Sequence, residues 1–144
     1  VKDKQRLSVY LSHRYGGDPE NLRKARAWLD WLTLRFPDVE WRASWIASCE
    51  VTPETPEARE AGLRACEDEV RGCDALLRIG AASDGTRRER GAYYGARHAV
   101  ELPTHCIGID ALSPEYDATR IFTFIVDTQL DLNRRCDFVE GMPE

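Results

Sequence analysis

Hydrophobic and polar positions along this chain follow two rhythms in turn. Short β-prone runs are followed by stretches in which apolar residues recur every three or four positions. Residues 6–12, with Leu7, Val9, Tyr10 and Leu11, predict a buried first strand that enters the turn-forming segment 14–18. A helix start follows at once. Asp18 can cap it, Pro19 fits the first helical position, and Glu20 suits the positive end of the helix dipole. Leu22, Ala25, Trp28, Leu29 and Leu32 then form one apolar face, which ends near Phe36 and Pro37.

The same alternation continues downstream. Residues 39–43 predict a second strand, and residues 45–56, with Pro53 and Pro56, predict a long loop. Residues 57–72 predict a helix, 73–79 a third strand, 80–85 a small loop, 86–100 a helix rich in Ala and Gly, and 103–109 a fourth strand. Strands alternating with helices signal a parallel sheet covered on both faces. The expected fold is therefore α/β, a Rossmann-like three-layer sandwich with a mostly parallel sheet of four to five strands, forming a single domain over residues 1–144. The tail is ambiguous, because residues 121–126 have strand composition but follow the fourth strand too closely for a crossover helix. A C-terminal helix or an irregular edge element is expected there.

Composition narrows the class. Hydrophobic residues make up 42% and charged residues 31%, which suits a globular protein. No apolar run approaches the roughly 18 residues that cross a membrane, and residues 1–6 lack a signal-peptide stretch, so a cytoplasmic protein without a membrane partner is expected. The net charge of -5 offers no footprint for duplex nucleic acid. The five cysteines form no C-x-x-C pair, and His13, His98 and His105 share no ligand spacing with each other or with the cysteines. No metal or redox cofactor is expected.

In an open parallel sheet, ligands collect beyond the carboxyl ends of the strands. Three loops converge there: 13–18, 45–55 and 80–89. The first offers His13, Arg14, Gly16 and Gly17 at the start of a helix, which reads either as a phosphate cradle or as a Gly-Gly turn with a capped helix. Trp45 from the second could stack on a base or pack in the core. The third carries Ser83, Gly85 and Thr86, then Glu89 about one turn into the next helix. A carboxylate there can act as nucleophile or base, or only stabilise the helix end.

Three stretches taken together resemble the nucleoside 2-deoxyribosyltransferase-like superfamily. The first is Val9-Tyr10-Leu11-Ser12, followed by Gly17-Asp18-Pro19-Glu20-Asn21 and a helix. The second runs from Arg71 to Leu77. The third matches that superfamily's pattern at Ser83, Gly85, Glu89 and Gly91. The resemblance implies N-glycosidic chemistry on a nucleoside or nucleoside 5′-phosphate. Glu89 would attack the anomeric carbon, Tyr10 would orient it, and Asp74 would help handle the leaving base. The implied binding set is Ser12, His13, Arg14, Gly16, Gly17, Trp45, Ser83, Gly85 and Thr86, and a homo-oligomer, a dimer or higher, is implied as well. Characterised transferases often carry Asp where Ser83 stands, and Ser shifts the expectation toward a phosphorylated substrate or hydrolysis, with Arg87 and Arg88 as candidate phosphate partners. The alternative is a non-catalytic nucleotide-binding module of the same fold.

Overall fold

The computed structural model describes residues 6–110 and 114–141. The chain start, read above for a signal peptide, and the side chain of Cys136 lie outside the described residues. Along the chain run β1 (Ser8–His13), α1 (Pro19–Arg35), β2 (Glu40–Arg42), α2 (Ser44–Val51), α3 (Pro56–Arg71), β3 (Ala75–Ile79), α4 (Asp84–Ala99), β4 (Cys106–Ile109) and α5 (Pro114–Gly141). The strands form one parallel sheet in the order β2-β1-β3-β4. Flanked by helices, it is the α/β sandwich that the alternating pattern predicts. The chain winds outward in opposite directions from β1 and β3, so the switch point of the topology lies between their carboxyl ends.

Local chemistry sets the helix ends. The Asp18 side chain accepts from Glu20 N, and Pro19 supplies the preset φ of the first turn. Thr55 caps α3 by accepting from Ala58 N, with Pro56 next in line. One expectation is corrected: the segment after Trp45 is not a long loop, because α2 runs from Ser44 to Val51 and only residues 52–55 connect it to α3. The prolines that suggested a loop lie beyond α2, and no Gly or Pro interrupts α2 itself. The tail is helical. Asp117, Ile121, Ile125, Thr128 and Leu132 are buried at spacings of three and four, while Phe122, Val126 and Leu130 are exposed.

Period-two alternation on the strands gives the sheet two unlike faces. Val9, Leu11, Ala75, Leu77, Ile79 and Ile109 pack with Ala25 and Leu32 of α1 and with Ile121, Ile125 and Leu132 of α5 in one apolar layer. The opposite face carries Tyr10 and Leu76, packed with Val70, Cys73 and Tyr93 from the α3 and α4 side. It also holds polar groups at both ends: Ser8 and Asp74 at the amino end, Ser12 and Arg78 at the carboxyl end. No helix among the described residues is long and apolar enough to cross a membrane.

The amino end is closed by a hydrogen-bond network. Ser8 N and Oγ both donate to Asp74 Oδ2 at 2.9 and 3.1 Å, and Asp74 N donates back to Ser8 Oγ at 3.0 Å. Tyr93 Oη donates to Asp74 O at 2.7 Å and accepts from His105 N at 2.9 Å, tying α4 to the approach to β4. Arg97, also buried, donates to Pro103 O at 2.9 Å. Replacing Asp74 with Ala leaves the Ser8 donors without their acceptor and should destabilise the fold by about 1–3 kcal/mol in urea titrations. A change below the error of such titrations would show that this network does not hold the strands in register.

Candidate functional site

Glu89 lies in the second turn of α4 and faces the sheet. It is 6% exposed. Ser83 sets the helix start through a reciprocal cap: Thr86 N donates to Ser83 Oγ at 3.2 Å, and Ser83 N donates to Thr86 Oγ1 at 2.6 Å. Thr86, Glu89, Tyr93 and Arg97 then share the buried face of α4 at spacings of three and four. Gly85 permits close passage of α3, since a Cβ there would stand 3.4 Å from Leu63 Cδ2. Glu89 thereby meets β1, where Ser12 Oγ donates to Glu89 Oε2 at 3.3 Å.

No cation meets this carboxyl group among the described residues. Arg87 pairs with Asp84, and Arg88 with Glu60 and Glu67. Burial therefore dominates: it pushes the Glu89 carboxyl up to about 8, assisted by the charges of Glu67 and Glu69 and opposed by Tyr10 and Ser12. Tyr10 Oη is enclosed beside Glu89 and Cys66, yet it completes a full hydrogen bond with neither. Burial, and then the proximity of Glu89, push its phenol well above the ordinary range. Cys66 is likewise pushed up, to about 12, chiefly by burial. Burial thus favours the protonated form of Glu89, Tyr10 and Cys66 alike, with Ser12 alongside. A buried phenol lacking a partner is unusual and marks a place where a ligand atom can complete the bonding.

The remaining expected residues divide into two groups. His13 ends β1 with its ring buried, and its Nδ1 donates to Arg14 O at 2.7 Å. This fixes the tautomer, leaves Nε2 as an acceptor beside Gly80, and accompanies a lowered pKa caused first by burial. Gly16 and Gly17 adopt φ of +60° and +75°, a region that favours glycine. Beside this loop Asp18 caps the amino end of α1, accepting from Glu20 N. Arg14 is exposed beside it. Ser83 and Thr86 are engaged with each other in the cap.

Two residues have their polar groups engaged elsewhere than with Glu89. Trp45 lies in the first turn of α2, and its indole N-H donates to Leu11 O at 3.1 Å, a carbonyl on the flank of β1 beyond the last residue paired with β2. Its ring packs against both core layers. The structure does not bring Asp74 to Glu89: its carboxylate is bound to Ser8, four residues and about 13 Å of strand rise before Ser12. Asp74, expected to handle a leaving base, is thus placed at the other end of this sheet face from Glu89. Arg78 escaped the sequence reading. It is the register partner of Ser12, on the same sheet face.

An open cleft of about 510 Å³ lies beside the site between the first turns of α3 and α4, with Glu54, Arg59, Leu63, Asp84 and Arg88 on its walls. Glu89 is not part of that lining. Among the described residues no cluster of His, Cys, Asp and Glu is arranged to hold a metal ion. No protein-family model matches the chain, and no curated protein matches it.

Because the folded state binds its Glu89 proton more tightly than the unfolded chain, this group favours folding fully below about pH 4.5 and loses that contribution as pH rises through about 8. Glu89→Gln keeps the shape without the ionisation. Its melting temperature relative to the parent should rise with pH, and by pH 9 the variant should be more stable by a few kcal/mol. A difference in melting temperature that stays flat from pH 5 to pH 9 would contradict the buried, uncompensated carboxyl.

Proposed function

We propose that the protein cleaves, or transfers across, the N-glycosidic bond of a nucleoside or nucleoside 5′-phosphate, with Glu89 as nucleophile. The observation that carries this reading is a buried carboxyl group without a cation, held by Ser12 and flanked by Tyr10, at the switch point of a parallel sheet. The resemblance of the segments around Tyr10 and Glu89 to deoxyribosyltransferase-like proteins points the same way.

The chemistry follows from the arrangement. An ionised Glu89 oxygen attacks the anomeric carbon as the carbon-nitrogen bond breaks; the base departs with the electron pair and takes up a proton from solvent, which the water that later attacks returns. Positive charge develops on the sugar in the transition state, and a carboxylate in a dry site stabilises it far more than one in water. Water or a second base then attacks the same carbon, which frees Glu89 again. Ser12 holds one carboxyl oxygen while Tyr10 stands beside the group with its hydroxyl free to bond a ligand or the carboxylate, so the nucleophile has a set direction. Asp74 takes no part in this scheme.

A second reading is a nucleotide-binding module without chemistry. The slight exposure of Glu89 favours it, since a sugar must displace covering groups to reach the carboxyl. An exposed apolar ridge on α5, formed by Phe122, Val126 and Leu130 at spacings of four, supports self-association under either reading. Val126→Glu should then lower the sedimenting mass.

Activity requires the ionised carboxylate. Release of free base from a panel of deoxynucleosides and their 5′-monophosphates should give kcat/KM that rises with pH and levels off above about 8. Glu89→Ala should lower it by about 10³-fold or more. Tight binding of a panel member without any release of base would favour the binding module.

A further inference from the structure

We propose that Arg78 reads the anionic end of the ligand and so makes the site selective for a pentose 5-phosphate unit, as in a nucleoside 5′-monophosphate, over the unphosphorylated sugar. This inference deepens the reading of the Glu89 site and rests on it. Arg78 extends from β3 on the same sheet face as Ser12, its register partner on β1, and its guanidinium lies over Gly108 of β4, two strand spacings, about 10 Å, from Ser12. Ser12 in turn holds Glu89. A ligand whose reacting carbon meets Glu89 would have to span the sheet from β1 toward β4 to meet this guanidinium, a span that a pentose alone leaves open and a 5-phosphate extends to close.

The charge of Arg78 is unmatched. Among the described residues no carboxylate pairs with it, whereas Arg87, Arg88 and Arg97 each face one. The Arg78 guanidinium is half-buried and donates to the carbonyl of Gly80, at the start of the loop that leads into α4. A single neutral carbonyl uses little of a five-donor fork, and a phosphate offers the bidentate, charged partner that such a fork suits.

The sheet also makes room for it. Gly108 of β4 lies opposite Arg78 in register, and a Cβ at Gly108 would collide with the guanidinium, standing 2.9 Å from Arg78 Cζ. A glycine at this strand position thus gives the arginine a flat slot at the carboxyl end of the sheet. Arg87 and Arg88, the two arginines expected from the sequence to meet a phosphate, are held by acidic residues.

Calorimetric titration with 2-deoxyribose 5-phosphate, 2-deoxyribose and inorganic phosphate tests this assignment. The parent protein should bind the sugar phosphate at least about tenfold more tightly than either of the others. Arg78→Met should bring that preference to within about twofold, Arg78→Lys should keep part of it, and Gly108→Ala should weaken it by displacing the guanidinium while retaining its charge. Arg90→Ala, which removes another arginine that no carboxylate pairs with among the described residues, should leave the preference intact. Equal affinities for the two sugars, inorganic phosphate binding as tightly as the sugar phosphate, or a preference that survives in folded Arg78→Met would each overturn the proposal.

The base-release assay separates this proposal from the reading beneath it. Base release without any phosphate preference rejects the role of Arg78 and leaves the glycosidic chemistry. A preference that depends on Arg78, with no base released from any nucleotide, does the reverse. Failure of every probe to bind rejects both.

Discussion

The carboxyl end of this sheet is organised around one uncompensated burial, that of the Glu89 carboxyl between α4 and β1, which no cation meets among the described residues. Holding it ionised at that position costs about 5 kcal/mol relative to water, judged from its displacement to about 8. The fold tolerates the group because protonation removes most of that cost. Its surroundings follow the same logic: Tyr10 and Cys66 are also pushed up by burial, so a cluster of neutral, hydrogen-bonding groups occupies the place where an open parallel sheet receives ligands. Such a cluster adds little to stability. It is better suited to acting on something that arrives.

The two ends of the same sheet face serve different purposes. At the amino end, Asp74, Ser8, Tyr93 and His105 satisfy one another and lock β1, β3 and α4 together. At the carboxyl end, among the described residues, Tyr10 Oη lacks a full hydrogen bond and Arg78 lacks a carboxylate. Satisfied polar groups specify a structure, and unsatisfied ones mark where binding can still lower the free energy. This contrast between two ends of a single face separates scaffold from site without recourse to any relative.

Much of the architecture is legible in the sequence because its signals are local. Asp18 with Pro19, and the three- and four-residue spacing of Leu22, Ala25, Leu29 and Leu32, announce α1 unaided. α2 is hidden because its eight residues carry almost no amphipathic signal and lie beside prolines that suggest a loop. The tail reads as a strand by composition, but the burial of Ile121 and Ile125 against the exposure of Phe122 and Val126 shows that spacing, not β-propensity, decides it. The site is legible in part. Tyr10, Ser12 and Glu89 are brought together, but the distance of Asp74 depends on strand direction and register, which no single residue reveals. Arg78 did leave a signal, as a charged residue in an otherwise apolar strand, alternating onto the face of Leu76 rather than that of Leu77.

The central claim is that Glu89 carries a proton at neutral pH because nothing in its pocket compensates its charge. Carbon-detected NMR of the glutamate side-chain carboxyl groups, followed across pH in the parent and in Glu89→Gln, measures that directly. The account predicts one carboxyl resonance that titrates near 8 and vanishes in the variant. If every glutamate instead titrates in the ordinary carboxylate range, Glu89 is solvated or paired, and the site as described here does not exist.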